Sequence, residues 1–228
     1  QLNELSSSSK LAVVIPTKDR LEHLWILLTS IREQSLRPIQ VIVVDGGDST
    51  VEEVVTQFLD LKIDYVRVHP PALTKQKNAG VAAARQDIDL IAFIDDDIVF
   101  GDGAIEAMMS FWQTAADDLA GACFNLTDFN HSWSWLKSLP QSIFGINNRH
   151  FGRVLRSGFN TPIWNVSKNT KVQWLGGGYT VWRKRVFIDS QFDEWFAGSG
   201  LWEDVHFSYQ VGQNNQLAIV AEARAAHI

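Results

Sequence analysis

Along the first 125 residues, short apolar runs alternate with helical patterns. Residues 11–15 (LAVVI) make a continuous apolar run closed by Pro16, which reads as a strand buried on both faces. Leu21, Leu24, Trp25, Leu28 and Ile31 then recur at the i, i+3, i+4, i+7 spacing of an amphipathic helix. Pro38 interrupts, and residues 39–44 (IQVIVV) give a second strand that runs into Asp45-Gly46-Gly47. Ser49 or Thr50 is placed to cap a helix reaching to about residue 59, with Glu52 and Glu53 suited to its first turn. A third strand is expected over about 62–68, an Ala-rich helix over 74–85, a fourth strand over 90–94 (LIAFI) and a helix over about 104–116.

Strand and helix alternating at this spacing predict βαβ units, hence an α/β protein with a mostly parallel central sheet flanked by helices. Ligands of such sheets bind beyond the carboxyl ends of the strands, so the residues just after each strand are the ones to inspect. Past residue 125 the pattern loosens. Residues 125–171 are rich in Asn, Ser, Gly and aromatics with no sustained period, and are expected to make a long excursion over the sheet. Pattern resumes at 172–175, ahead of Gly176-Gly177-Gly178, with a short helix expected over 203–212 and a last strand over 217–220. No internal repeat or linker divides the chain, so one domain over 1–228 is expected.

Composition changes this picture little. The chain has 228 residues, 46% of them hydrophobic, so a large core is within reach without cross-links. Its 26 acidic against 20 basic residues leave −6, which excludes the basic face of a nucleic-acid binder. Cys123 is the single cysteine, so no internal disulfide exists, and a cytoplasmic location is expected. No apolar run approaches bilayer-spanning length. The chain begins at Gln1, so membrane association would come only through segments missing from this sequence or through a lipid-linked acceptor. Nine Trp residues stand out; they serve either as core or as platforms for sugar rings.

The chemistry gathers in acids. Asp95-Asp96-Asp97 abuts a buried strand, where three carboxylates repel one another unless a cation is present. Alternation along an extended chain would put Asp95 and Asp97 on one side and Asp96 on the other. Paired oxygen ligands suit a hard divalent ion, Mn²⁺ or Mg²⁺; the plainer reading is a solvated acidic turn. Asp45 ends the second strand on the same sheet edge, although Asp-Gly-Gly also suits a turn. Trp202-Glu203-Asp204 precedes the short helix, where acids also complement the macrodipole. Pro16-Thr17-Lys18-Asp19 lacks the glycines of a dinucleotide cradle, and no phosphate-binding P-loop occurs. Asp95, Asp97 and Val99 satisfy the nucleophile motif of haloacid-dehalogenase-type phosphatases, but that motif belongs on a first strand, and this one follows three βα units.

In order along the chain, VVIPTKDR (13–20), VIVVDGGDST (41–50), KNAG (77–80), FIDDDIVF (93–100) and FDEWFAGSGLWEDVHFSYQV (192–211) resemble the family-two glycosyltransferases. The resemblance implies the glycosyltransferase A fold and inverting transfer of a sugar from a nucleotide-diphosphate donor to an acceptor hydroxyl. About residues 11–124 would hold the nucleotide, with UDP the commonest in the family, and about 125–228 a saccharide or other hydroxyl acceptor. It further implies that Pro16, Thr17 and Asp45 meet the nucleoside, that Lys77 and Asn78 stand near the phosphates, and that Asp95 faces the ribose. Asp97 would ligate the metal, with Asp96 in support, Gly177 would approach the donor sugar, and Asp204 would be the catalytic base. His227 is a further metal ligand in related enzymes, against a frayed terminus as the plain reading. Lys77 stands where the family commonly has Arg, and His206 where it commonly has an acid. Trp133, Trp135 and Trp164 are candidates for sugar stacking. A binding protein that kept the fold without catalysis is the rival from another class.

Overall fold

The computed structural model describes residues 9–128 and 151–228, so Trp133 and Trp135 lie outside the described residues. β1 (Leu11–Thr17) is buried along its whole length, as a two-sided apolar run requires. It pairs in parallel with β2 (Gln40–Asp45) on one side and β4 (Leu90–Ile94) on the other. β2 in turn pairs in parallel with β3 (Ile63–Arg67). The first strand continues through Pro16 instead of ending there. Its pairing with β4 stops at Val14 opposite Phe93, so the proline lies past the end of that ladder.

α1 (Leu21–Arg32) buries Leu24, Leu27, Leu28 and Ile31. Leu21 and Trp25, expected on the same face, are 41% and 44% exposed; the Trp25 ring meets Phe58 edge-on at 5.0 Å. The helix expected from residue 49 to 59 shrinks to α2 (Glu52–Val55) and a 3₁₀ turn, Leu59–Leu61. Its cap position is Val51, whose N–H is drawn to the Asp45 carboxylate at 3.1 Å, while the Thr50 hydroxyl accepts from Glu52 N–H. α3 (Leu73–Ala83) crosses β1 and β2 closely, because a Cβ at Gly80 would fall 2.2 Å from Val14 Cγ1.

Beyond β4 the chain adds β5 (Ile98–Phe100), α4 (Ala104–Gln113), β6 (Leu119–Leu126), β7 (Thr170–Val172), β8 (Tyr179–Arg183), α5 (Val186–Asp189), α6 (Glu203–Gly212) and β9 (Gln216–His227). Among the described residues nine strands share one sheet, in the order β3-β2-β1-β4-β8-β6-β9-β5, with β7 also on β9. The parallel half ends at β4, since β8 runs antiparallel to both β4 and β6. β7 ends at Val172, where the pattern was expected to resume; just after it Trp174 turns inward, 5% exposed, its indole N–H on the Thr161 carbonyl at 2.9 Å. The last strand is far longer than residues 217–220. It pairs with β6 and then, past a register shift, reaches β5 with His227 opposite Ile98. Phe192 and Phe187 stack on Phe207 of α6 at 4.2 and 5.6 Å, which fixes that helix against the sheet. Among the described residues no helix is long and apolar enough to cross a membrane.

Candidate functional site

β1 and β4 are neighbours, so the residues that follow them face one another. Thr17 donates its hydroxyl to Asp96 Oδ2 at 2.7 Å, and the Arg20 guanidinium lies 2.9 Å from Asp96 Oδ1 and 3.2 Å from Asp97 Oδ2. Strand geometry does not persist through the acids: Ile98 N–H turns back to the Asp95 carbonyl at 3.1 Å. Asp96 and Asp97 therefore share one guanidinium, and the expected alternation is corrected. Asp95 goes the other way, toward β8, where a Cβ on Gly178 would come within 1.9 Å of its Oδ2. Burial pushes the Asp95 carboxyl up; Lys77 pulls it down, and Asp97, Asp96 and Asp204 raise it again. Burial also raises Asp96, against the hydrogen bonds from Thr17 and Arg20.

Asp45 ends β2 as expected, yet its carboxylate is fully buried. It accepts from Gly47 N–H at 2.7 Å, Val51 N–H at 3.1 Å, the Tyr65 hydroxyl at 2.5 Å and Arg67 at 2.6 Å. Burial alone would lift its carboxyl; these donors, Tyr65 foremost, hold it below the usual range.

The Gly176-Gly177-Gly178 turn passes between Asp95 and the start of α6. Gly177 N–H donates to Asp204 Oδ2 at 3.2 Å, and its carbonyl accepts from Lys77 at 3.0 Å. A Cβ at Gly177 would stand 2.7 Å from Glu203 Oε1 and 2.9 Å from Lys77 Nζ, so only glycine lets the strands and α6 close up here. Lys77 is wholly buried, with its ammonium paired to Glu203. Burial raises the Glu203 carboxyl and Lys77 lowers it; its Oε2 is buried with no hydrogen-bond partner among the described residues.

Two clefts of about 510 and 370 Å³ meet at Asp95, Leu73 and Ser199, which line both. The first takes in Pro16, Thr17, Arg20, Asp96 and Asp97; the second takes in Gly177, Gly178, Asp204, Trp164, Trp174 and His227. The structure thus brings Pro16, Thr17, Asp95, Asp96, Asp97, Gly177, Asp204 and His227 to one connected space. It does not bring Asp45, Lys77 or Asn78 there. Asp45 and Lys77 are sealed by their partners, and Asn78 is turned outward to bind Phe192 through both its amide atoms, at 2.9 and 3.1 Å. His206 also faces outward, against Phe196. Trp164 packs against the core while also lining the second cleft.

His227 is no frayed end: it lies in β9 beside Asp97, whose carbonyl accepts from Ile228 N–H at 2.9 Å, and its Nδ1 is 2.9 Å from Asp128 Oδ2. Among the described residues no three His, Cys, Asp or Glu side chains gather into a ready-made metal cage. Asp97, with its side chain 36% exposed, still suits a hard cation that takes its remaining ligands from phosphate oxygens and water. Sequence reasoning gave no role to Arg20, and saw Glu203 only as an acid at the start of a helix, not as the buried partner of Lys77. The signal for Arg20 was present: a cation three residues past one strand, facing acids past the neighbouring one.

The family model described as "Glycosyl transferase family 2" matches residues 12–188. An uncharacterized glycosyltransferase, YwdF, of Bacillus subtilis (strain 168) is 33% identical over 112 residues, which cover 46% of this chain and 39% of that protein. Among solved structures, S. aureus TarS 1–349 in complex with UDP superposes with a TM-score of 0.66 at 15% identity, over 95% of this chain and 60% of that one. GalNAc-T7 with UDP, GalNAc and Mn²⁺ superposes with a TM-score of 0.72 at 11% identity, over 97% and 44%. The chain therefore spans less than two thirds of each of these proteins, and the two solved structures show the shared glycosyltransferase A architecture. The matched segment runs from Ala12 in β1 to Ile188 in α5, holds the first four of the five motifs and covers more than half of the chain, so the chain belongs to glycosyl transferase family 2.

Proposed function

We propose that the chain transfers a sugar from a nucleotide-diphosphate donor, with uridine as its nucleoside, to the hydroxyl of a saccharide or other acceptor, with inversion at the anomeric carbon. The observation that carries this reading is the single connected space in which Asp204 looks across the Gly177–Gly178 turn toward Asp95 and the cleft of Thr17 and Arg20. UDP bound in both of the similar solved structures supports the choice of donor.

In this reading Thr17, Arg20 and the acids receive the nucleotide diphosphate, and the glycine turn lies under the donor sugar. Asp204 takes the proton of the acceptor hydroxyl as its oxygen attacks the anomeric carbon from the face opposite the leaving group. The bond from that carbon to the β-phosphate oxygen breaks, and the nucleoside diphosphate leaves with the electron pair. A divalent cation, Mn²⁺ or Mg²⁺, held by Asp97 with His227 near, would supply charge stabilisation for the leaving diphosphate. The protein's own groups orient the reactants: the Gly177 N–H fixes the Asp204 carboxylate, and Lys77 with Glu203 fixes the helix that carries it. Residues 1–228 act as one catalytic domain. Membership of the family sets the phosphatase alternative aside. A non-catalytic binder would share the clefts but have no use for a base at Asp204.

Asp204→Asn separates the two. The variant is expected to bind UDP by calorimetry as the parent does, while transfer from a UDP-sugar falls by about 10²–10⁴, the usual worth of a general base. Unchanged turnover would remove Asp204 from the mechanism.

A further inference from the structure

Trp202 lines the Asp204 cleft and also a separate, larger groove of about 780 Å³. That volume falls within the range of about 300–1,000 Å³ typical of small-molecule sites. One wall is the outer face of α6, carrying His206, Tyr209 and Gln210; the other is the segment 191–196, with Asn78 behind it. The second wall is built rather than loose. Phe192 is buried on Phe207, Asn78 binds Phe192 on both sides, and Asp193 Oδ1 accepts from Trp195 N–H at 2.9 Å. Around the space, the rings of Phe196, Trp202 and Tyr209 alternate with planar polar groups, Gln191 and Glu194 among them.

We propose that this groove is an acceptor subsite for a neutral saccharide of two or more units, whose terminal hydroxyl reaches Asp204 while the chain behind it crosses Trp202. The inference rests on the transferase reading for Asp204 and extends it to the acceptor. A pyranose offers an apolar C–H face and a rim of hydroxyls; exposed rings answer the first, and carboxylate, amide and imidazole groups answer the second. Trp202 and Tyr209 are 38% and 40% exposed, and the Trp202 ring is also met by Phe159 at 6.1 Å. Among the described residues the aliphatic side chains on the lining are Val154 and Val205, which does not suit an amphipathic helix that needs a continuous apolar floor. Charge selects further. Among the described residues Asp193 and Glu194 lie on the lining and no Lys or Arg does, so a uronic-acid or phosphate-bearing chain would meet repulsion from them.

The test applies the full chain to an array of oligosaccharides, from single sugars to hexamers, in neutral, uronic-acid and phosphorylated series. UDP binding is measured separately by calorimetry. Neutral chains of two or more units are expected to be retained. Trp202→Ala should lower retention of all of them about tenfold, the value of one lost ring contact. Gln210→Ala, an exposed change further along α6, should weaken only the longer chains. Retention of anionic chains alone, retention of none, or variants that bind as the parent does would each overturn the proposal. UDP binding without glycan binding sinks the groove and spares the donor reading. Glycan binding without UDP binding does the reverse.

Discussion

Donors from three stretches of chain converge on the Asp45 carboxylate: the turn after β2, the start of α2 and the end of β3. The sequence made Asp45 visible as an acid closing a buried strand, but not its saturation, because Tyr65 and Arg67 reach it only through the parallel register that sets Asp45 opposite Arg67. For Asp45 to accept a ring N–H from a base, one of these donors must first let go. The same saturation has a pH signature. The folded carboxyl titrates below its usual value of 3.8, so its stabilisation is present above that pH and is lost as pH falls through the lower, folded value. Asp45→Asn should cost about 2 kcal/mol at pH 7. It should also flatten the acid limb of a plot of urea midpoint against pH below about 4. A variant whose acid limb matches the parent's would show that the carboxylate is not held by these donors. Asp95 to Asp97 were equally visible, and there the missing information was the turn at Ile98, which aims two of them at Arg20.

Elements explain why Lys77 was misjudged from sequence. α3 was predicted well, but a lysine in an Ala-rich helix gives no hint that it is the one buried there with Glu203. The pair ties α3 to the first turn of α6, with the Lys77 ammonium also 5.0 Å from the centre of the Phe192 ring. Lys77→Met leaves a carboxylate buried without its cation and should cost about 3–5 kcal/mol. Glu203→Gln should cost less, since Asp95 remains near the ammonium, and the double variant should fall short of the sum by more than about 1 kcal/mol. Additive losses in urea unfolding would show that the two helices are not coupled through this pair. Other elements differ in how they announce themselves. The start of α6 at Glu203 was legible from its acids, and β1 to β4 from their β-branched runs. β6 escaped because Gly121, Ala122 and Cys123 lack that signature, although all are buried. β9 past Val220 alternates buried Ala221, Ala223 and Ala225 with exposed Glu222 and Arg224; the period of two is there, but alanine carries too little bulk to proclaim it.

At the scale of the whole molecule, the site is an excess of negative charge inside a chain already at −6. Asp95, Asp96, Asp97, Glu203 and Asp204 stand close together, and Arg20 and Lys77 are the cations that touch them. Lys77 is committed to Glu203, so a diphosphate arriving in the first cleft meets Lys18 and Arg20, and Arg20 already holds Asp96 and Asp97. Binding a doubly charged anion there should therefore depend on added positive charge. A ligand at a hundredfold excess over its Kd stabilises a protein by about 2.7 kcal/mol. For a chain of this length each kcal/mol moves the midpoint by roughly 2–4 °C, so UDP with Mn²⁺ should raise Tm by about 5–10 °C. The same UDP concentration with a chelator should raise it by less than half as much, and Mn²⁺ alone should do little, because Asp97 supplies too few ligands without the phosphates. Equal shifts with and without the metal would assign the counter-charge to Lys18 and Arg20 and take Mn²⁺ and Mg²⁺ out of the proposed function. A metal-dependent shift that persists in Asp204→Asn but vanishes in Asp97→Asn would separate the donor half of the site from its base.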